Sequence, residues 1–552
     1  MKEYLFSKNS KPGEIIGLDF GTTNSTISYY NKESGRLDSF KSSAGDANYI
    51  PTVVAYNNMK NDEISIGYSA KLKITAKNFD TYEHFKLLLG TNADKSIEGK
   101  TKSPTKVAHD FIKNLLDDYK TSRNISRLDG IVMTVPETWF REESNRTARE
   151  NIEGIFKALG YKDSEFRLES EPIGAAAFFC WSYKQNEKKE YIGYITVIDY
   201  GGGTLDVTLC EAMSGGKIKI LERCGHGEYN KINKTNGCAG VAFDETVIEN
   251  LVKDKKISCK KGEKNFIRLR TSFEENKIKQ CKDITANLKR YYKNKSNMEG
   301  ESIFSLELNG DEFEICCEDL NKSFSEVNAP KLKDSLEQIK HHFTRHNINT
   351  NTPENFKVLL VGGFSNFYAV EKEVREFFGA TSRDIDKRFD QLLETRDRAL
   401  AISMGAALIA SEEFSIVHTC MHSYGYVRYG TNESDEVVPF YIPIVEKGIN
   451  IKELSEPKFT DAKEYVRHKG GKLRIFIDDG RPNNVGRQAY ALDESVKELF
   501  PNVDDRDNDK WYQIGFSVDK NQIPTIHVRD KYNKVTKTSL NKLIEKIGIS
   551  AQ

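Results

Sequence analysis

The chain lacks an excess of charge of either sign: lysine plus arginine and aspartate plus glutamate each number 82 in 552 residues. That removes the global electrostatic argument for a nucleic-acid or anionic-membrane partner. The lysine clusters at 253–256 and 260–264 then read as solvated surface. It lacks a CxxC pair, and its nine cysteines form no spacing framework, which points to reduced thiols in a reducing compartment. The adjacent Cys316 and Cys317 read as buried strand residues, and His341–His342 as surface or core histidines ahead of metal ligands. No apolar run approaches the ~18 residues that a membrane span requires. The N-terminal MKEYLFSKNSKPGE has no apolar signal core, so the expected compartment is the cytoplasm.

What is present is a water-soluble, globular composition, 38% hydrophobic and 30% charged, on a chain too long for one core. Three segments share a pattern of apolar run followed by glycine turn. The first is Ile15–Phe20 followed by Gly21, Thr22, Thr23 and Asn24; the second is Ile195–Tyr200 followed by Gly201, Gly202, Gly203, Thr204 and Asp206. Both continue in β-rich alternation and read as hairpins. The third, Val358–Val361, leads through Gly362, Gly363, Phe364 and Asn366 into a segment of helical spacing with Val370, Val374 and Phe377. Two Asp-x-Gly hairpins about 180 residues apart look like an internal duplication, with a nucleotide between the halves. Helices are expected over 105–120, 141–160, 239–253, 265–290, 328–346 and 396–411, which makes this part α/β. From about 413 the texture changes to short alternating runs such as Lys472–Ile477 and Tyr512–Val518, the pattern of an all-β domain, and a short helix Leu540–Ile547 is expected at the end.

Glycine lets a backbone approach a phosphate with no Cβ in the way, and threonine hydroxyls add donors. A carboxylate cannot bind phosphate directly. Asp19 and Asp199, one on each hairpin, therefore suit a hydrated Mg²⁺ ion bridging two phosphates, held through water. Either turn alone favours an ordinary tight hairpin. Two matched copies and the Val-Gly-Gly turn favour a phosphate clamp.

The stretches IIGLDFGTTNS, VIDYGGGTLDVTL and VLLVGGFS resemble the two phosphate motifs and the adenosine motif of the heat-shock protein 70 chaperone family. IVMTVPETWF and RLESEPIGAAAF resemble that family's stretch from its VTVPA segment to its NEPTAAA helix. KLRIFIDDGRPNNVGRQAYAL and WYQIGFSVDKNQIPTIHVRDKYNKVTKTSL resemble, more weakly, strands of its substrate domain. The resemblance implies an actin-like (ribonuclease H-like, duplicated) ATPase domain over 1–412 and a β-sandwich domain over 413–552. It implies ATP or ADP with Mg²⁺, slow ATP hydrolysis coupled to polypeptide binding, and a polypeptide client or co-chaperone as partner.

Carried over by position, Asp19 and Asp199 match the Mg²⁺ and water-positioning aspartates, and Gly21, Thr22, Thr23, Asn24, Gly201, Gly202, Gly203 and Thr204 match the phosphate loops. Asp206 is the second aspartate of its hairpin, and Lys86 in HFKLLLG matches the lysine near the γ-phosphate. Glu171 and Pro136 match the pair that links nucleotide state to neighbouring domains. Glu274 and Lys277 match ribose contacts, and Gly240, Gly362, Gly363 and Phe364 belong to the base-side turns.

The sequence also departs from the family. Ile278 and Asn366 stand where the family holds adenine between two arginines, and Cys281 replaces a serine. The turn Ala239–Asp244 lacks the family's acidic pair, and Asp397 sits two positions off its expected place. The apolar acidic linker is absent, and the chain runs on too briefly past its last expected strand for a family-type helical lid. These departures predict weaker, less adenine-selective nucleotide binding. They leave open a nucleotide-dependent regulatory or filament-forming protein with little hydrolysis. A small-molecule kinase of the same fold is disfavoured by the β-domain.

Overall fold

The computed structural model describes residues 6, 10–42, 48–60, 63–90, 101–137, 139, 146–227, 229–230, 235–380, 386–389, 395–461, 464–465, 473–478, 487–492, 511–519 and 524–539. The chain divides into two compact units. Among the described residues, the larger takes in those up to Ile218 together with Glu222–Ser415; the other takes in Lys219–Leu221 and those from Ile416 on.

In the larger unit the first sheet is built on β1 (Ile15–Phe20) and β2 (Asn24–Asn31), followed by β3 (Arg36–Ser39), β4 (Gly130–Val135) and β5 (Phe166–Ser170). Its order is β3-β2-β1-β4-β5, with Ile50–Pro51 added beside β2. β1 and β2 are antiparallel, with Asp19 opposite Thr26, and β4 lies parallel to β1, with Thr134 opposite Asp19. The second sheet contains β6 (Gly193–Tyr200), β7 (Leu205–Met213), β8 (Lys217–His226) and β9 (Phe356–Val361) in the order β9-β6-β7-β8. It repeats the local pattern of the first: β7 is antiparallel to β6, with Asp206 opposite Asp199, and β9 is parallel to β6, with Val361 opposite Asp199. β1 and β6 are buried almost end to end, which is why their sequences read as unbroken apolar runs rather than alternations.

Among the described residues, the helices of eight or more residues in this unit are α1 (Pro104–Arg123), α2 (Arg146–Ala158), α3 (Glu171–Glu187), α4 (Gly240–Asp254), α5 (Lys264–Lys279), α6 (Cys281–Lys293), α7 (Ala329–Arg345), α8 (Tyr368–Phe377) and α9 (Thr395–Ala410). α1 shows why such helices start and stop where they do. Ser103 caps it by accepting from the Lys106 amide, Pro104 opens it, and Asn124 closes it in the left-handed region. Within the first lobe, Phe20, Phe85 and Phe111 meet at ring separations of 6.0–6.2 Å and join β1, the segment before α1, and α1.

The observed elements differ from the sequence expectation in two places, and a third expectation is not reached by the described residues. The helix expected over 265–290 breaks at Gln280, whose ψ of 20° interrupts the ladder between α5 and α6. Cys316 ends a strand, half-buried, whereas Cys317 is buried at the start of the short helix Cys317–Ser323 and is not a strand residue. The helix expected over 540–547 lies outside the described residues.

In the second unit, β10 (Ser423–Thr431), β11 (Val437–Val445), β12 (Leu473–Asp478) and β13 (Arg487–Leu492) form one antiparallel sheet in the order β11-β10-β12-β13. β14 (Trp511–Val518), β15 (Pro524–Asp530) and β16 (Val535–Ser539) form another, extended by Lys458–Phe459 and Glu464–Tyr465. Alternate residues of the two sheets share one core: Tyr424, Tyr426 and Ile475 from the first pack with Ile514, Phe516 and Ile526 from the second. Among the described residues, no helix is long and apolar enough to cross a membrane.

Candidate functional site: a carboxylate-rich cleft between two glycine hairpins

The turns that follow β1 and β6 meet. A Cβ placed on Gly202 would lie 2.5 Å from Thr23 Cγ2, and one placed on Gly203 would lie 2.5 Å from Thr22 Oγ1 and 2.8 Å from Leu87 Cδ2. Only a bare backbone allows the hairpins to approach this closely. They border a cavity of about 600 Å³, within the size range of small-molecule sites. The start of α4 is tied to the second hairpin, because the amides of Gly240 and Val241 donate to the carbonyls of Gly201 and Gly202 at 3.1 and 2.8 Å.

Asp19 and Asp199 are each the last residue but one of their strands, β1 and β6, and Glu171 opens α3; all three line the cavity and are nearly withdrawn from water. Their compensating cation is Lys86. Its neighbours Phe85 and Leu87 are buried in a 3-10 turn that begins at left-handed His84, which fixes the lysine backbone and directs its side chain inward. Lys86 Nζ donates to Glu171 Oε1 at 2.6 Å and lies 5.6 Å from the Phe20 ring centroid. Thr134 donates to Asp19 Oδ1 at 3.2 Å.

Burial, with the Glu171 charge next, pushes the Asp19 carboxyl up to about 7 despite Lys86 and Thr134. Burial and the charges of Glu171, Asp206 and Asp19 hold Asp199 well above the ordinary carboxylate range. Asp206 is shifted the same way, first by burial and then by Glu171. The excess of negative charge at this end of the cleft is the environment a divalent cation would relieve. Asp199 Oδ2 and Asp206 Oδ2 are buried and have no hydrogen-bond partner among the described residues. The donor set of hard oxygens beside bare glycine turns fits Mg²⁺ and polyphosphate.

The other end of the cavity is built by α5, α6 and the turn after β9. Gly362 adopts φ +83°, and a Cβ there would run into the Asp199 carboxylate. This places Phe364 in an aromatic cluster 5.1 Å from Tyr200, 5.2 Å from Phe243 and 5.5 Å from Phe367, measured between ring centroids. Ile278, 61% exposed, and Asn366 line this end, as does Cys281. Glu274 and Lys277 also line it, but each already has a partner: Lys71 donates to Glu274 at 3.2 Å and Lys277 to Asp244 at 2.5 Å. Burial raises the Asp244 carboxyl to about 6, against the opposing charge of Lys277.

Of the residues carried over by position from sequence, all but Asp206 and Pro136 line this one cavity. Asp206 instead accepts from the Glu137 amide at 3.1 Å, next to Pro136 at the end of β4. Glu137 is itself buried, accepting from Arg223 at 2.6 Å and from Ser170.

Sequence reasoning missed His84, Arg270, Asp244 and Arg398, which also line the cavity. Arg270 precedes Glu274 and Lys277 by four and seven residues, so helical spacing would have placed it on their face. Asp244 follows Gly240 by one helical turn. His84 and Arg398 carry no comparable signal.

A family model described as Hsp70 protein matches residues 15–110 and 92–412, which is most of the chain. This chain belongs to the Hsp70 family. Among curated relatives, Chaperone protein DnaK of Thermosipho melanesiensis is 25% identical over 412 residues, covering 73% of this chain and 61% of the relative. Chaperone protein DnaK of Mycoplasmopsis pulmonis is 28% identical over 370 residues, covering 66% and 54%. That of Metamycoplasma hominis is 29% identical over 366 residues, again covering 66% and 54%. The Hsp70-family chain thus spans between 54% and 61% of the length of these relatives. The five segments before residue 412 that carried the resemblance in sequence fall inside the matched region, and the two quoted from 472 on fall outside it.

Proposed function

We propose that the larger unit is an actin-like, ribonuclease H-like duplicated nucleotide-binding domain, nominally residues 1–412, that binds ATP or ADP with Mg²⁺ and hydrolyses ATP slowly. The observation that carries this reading is the contact of Gly202 and Gly203 with Thr23 and Thr22 over a cavity lined by Asp19, Lys86, Glu171 and Asp199. The repeated strand pattern around Asp19 and Asp199 supports the duplication.

Bound Mg²⁺, held by Asp19 and Asp199 through water, would neutralise charge on the phosphate oxygens. Backbone amides of the two glycine turns and the hydroxyls of Thr22, Thr23 and Thr204 bind the triphosphate and fix its orientation. Lys86 supplies positive charge where the phosphoryl oxygens become more negative. Asp199 orients the attacking water rather than stripping its proton, with Thr204 as helper, so turnover is slow. Glu171 holds Lys86 in place through their ion pair.

The second unit, nominally 413–552, is read as a β-sandwich that binds polypeptide under control of the nucleotide. Its shared core from two antiparallel sheets supports this. So does β11, which stands at a sheet edge and exposes Val437 (71%) and Phe440 (44%), the kind of apolar edge that an extended peptide can pair with. The relatives' designation as chaperone proteins supports a polypeptide client or co-chaperone as the partner class.

A second reading, a nucleotide-dependent regulatory or filament-forming protein with little hydrolysis, is favoured by Ile278 and Asn366 on the base side and by Glu274 and Lys277 being engaged with Lys71 and Asp244. Single-turnover ATP hydrolysis by the wild type, Asp199→Asn and Lys86→Ala separates the two readings. Measurable hydrolysis that drops at least tenfold in both variants supports the ATPase. Equal rates in all three proteins overturn it.

A further inference from the structure

Outside the nucleotide cleft, the strand β8 and the C-terminal end of α7 bring together three groups that the proposed ATPase does not use. His342 and His346 are four residues apart on α7 and its C-cap, so they share one face. That face meets Glu222 of β8, whose side chain is 1% exposed, whereas those of His342 and His346 are 13% and 28% exposed. Glu222 Oε1 lies 2.8 Å from His342 Nδ1 and 3.4 Å from His346 Nε2. One ligand atom from each residue falls within 4.8 Å of the other two.

We propose that Glu222, His342 and His346 form a binding site for a divalent transition metal of the zinc class. Zinc takes imidazole nitrogen and carboxylate oxygen at about 2.0–2.2 Å, which sets neighbouring ligand atoms roughly 3.3 Å apart in a tetrahedron. The two separations from Glu222 to the histidines, 2.8 and 3.4 Å, bracket that value. Two histidines and one carboxylate make three protein ligands and leave a fourth position for water.

The surroundings favour a cation here. A carboxylate buried in a sheet requires positive charge nearby. The site sits at the C-terminal end of α7, where the helix carbonyls add negative potential. Arg345 is the rival cation: its Nη1 lies 3.7 Å from the same Glu222 oxygen. That separation is long for a charge-assisted hydrogen bond, and the Arg345 side chain is 41% exposed, so it can turn outward when a metal enters. None of the three ligands lines the nucleotide cavity, so the metal acts as a clamp between β8 and α7 and not as a part of the phosphate site.

The test is calorimetric titration of Zn²⁺ into the chelator-stripped full chain, with thermal denaturation in parallel. One saturable site, with a midpoint that rises on metal addition, is expected. His346→Gln and His342→Gln should each weaken binding at least tenfold and abolish the midpoint rise. His341→Gln, next in sequence but exposed, should change neither. Arg345→Ala should tighten binding severalfold, because the competing cation is gone. Glu222→Gln removes a buried group and risks unfolding, so the half-buried His346 carries the decision. Absence of saturable binding overturns the proposal. So does binding that survives both histidine variants but is lost when the nine cysteines are alkylated.

Discussion

Lys86 Nζ stands 2.6 Å from Glu171 Oε1, both side chains are almost fully withdrawn from water, and the lysine also offsets the buried charges of Asp19, Asp199 and Asp206. One cation therefore serves four carboxylates. Removing either member of an isolated buried pair costs about 3–5 kcal/mol, because its partner is left uncompensated. The asymmetry here predicts unequal costs. Lys86→Ala should destabilise the apo protein within that range. Glu171→Gln should cost less, because it removes the group that raises all three aspartates while leaving Lys86 with Asp19. Urea denaturation of both variants without nucleotide or Mg²⁺ checks the order, and equal losses would contradict it.

Asp244 gives a pH dependence with a definite sign. Its carboxyl is raised from 3.8 to about 6 in the folded protein, mainly by burial. Between those values the folded state holds more protons than the unfolded state, so this group's contribution is full below about 3.8 and is lost as pH rises through about 6. Stability of the wild type relative to Asp244→Asn should therefore fall from pH 4 to pH 7. Denaturation midpoints of the two proteins across that range measure it, and a constant or rising difference would contradict the burial argument.

The base end of the cleft was only partly legible in the sequence. The glycine turns were readable because φ +83° at Gly362 and the approach of Gly203 to Thr22 leave no choice of residue. Asp19 and Asp199 were readable because each stands in an apolar run two residues before the first glycine of such a turn. The ion pairs that engage Glu274 and Lys277 were not readable. Lys71 reaches Glu274 across 203 residues of chain and Asp244 reaches Lys277 across 33, and no local pattern encodes either contact. The break between α5 and α6 was missed for a related reason: Gln280 is neither glycine nor proline. The metal-type cluster was obscured because His341–His342 reads as a neighbour pair, whereas the structure pairs His342 with His346 and with Glu222 on a distant strand.

Ile278 and Asn366 leave the base without guanidinium stacking. Placing arginine at position 278 should supply a cation over the base, an effect of about 1–2 kcal/mol. Ile278→Arg is thus expected to bind ATP roughly 5- to 30-fold more tightly and to prefer it over GTP more strongly than the wild type. Calorimetric titration of both nucleotides with Mg²⁺ checks both expectations. Unchanged affinity would mean that the base does not lie against Ile278.

Gly203→Ala tests the approach of the two hairpins. Its Cβ would meet Thr22 Oγ1 at 2.5 Å and Leu87 Cδ2 at 2.8 Å, so the turns must part. ATP affinity should fall about tenfold or more, while the unfolding midpoint moves by only a few degrees, because overpacking at the rim of a cleft relaxes into open space. A large stability loss with intact affinity would show that the turn is structural alone.

The central claim is that the turns at Thr22–Thr23 and Gly202–Thr204 hold one triphosphate between them. A crystal structure with Mg²⁺ and a non-hydrolysable ATP analogue tests it most directly. The account predicts phosphate oxygens bonded to amides or hydroxyls of both turns, Lys86 within reach of the terminal phosphate, and Mg²⁺ waters bonded to Asp19 and Asp199. A nucleotide touching only one turn, or seated outside this cavity, would contradict it.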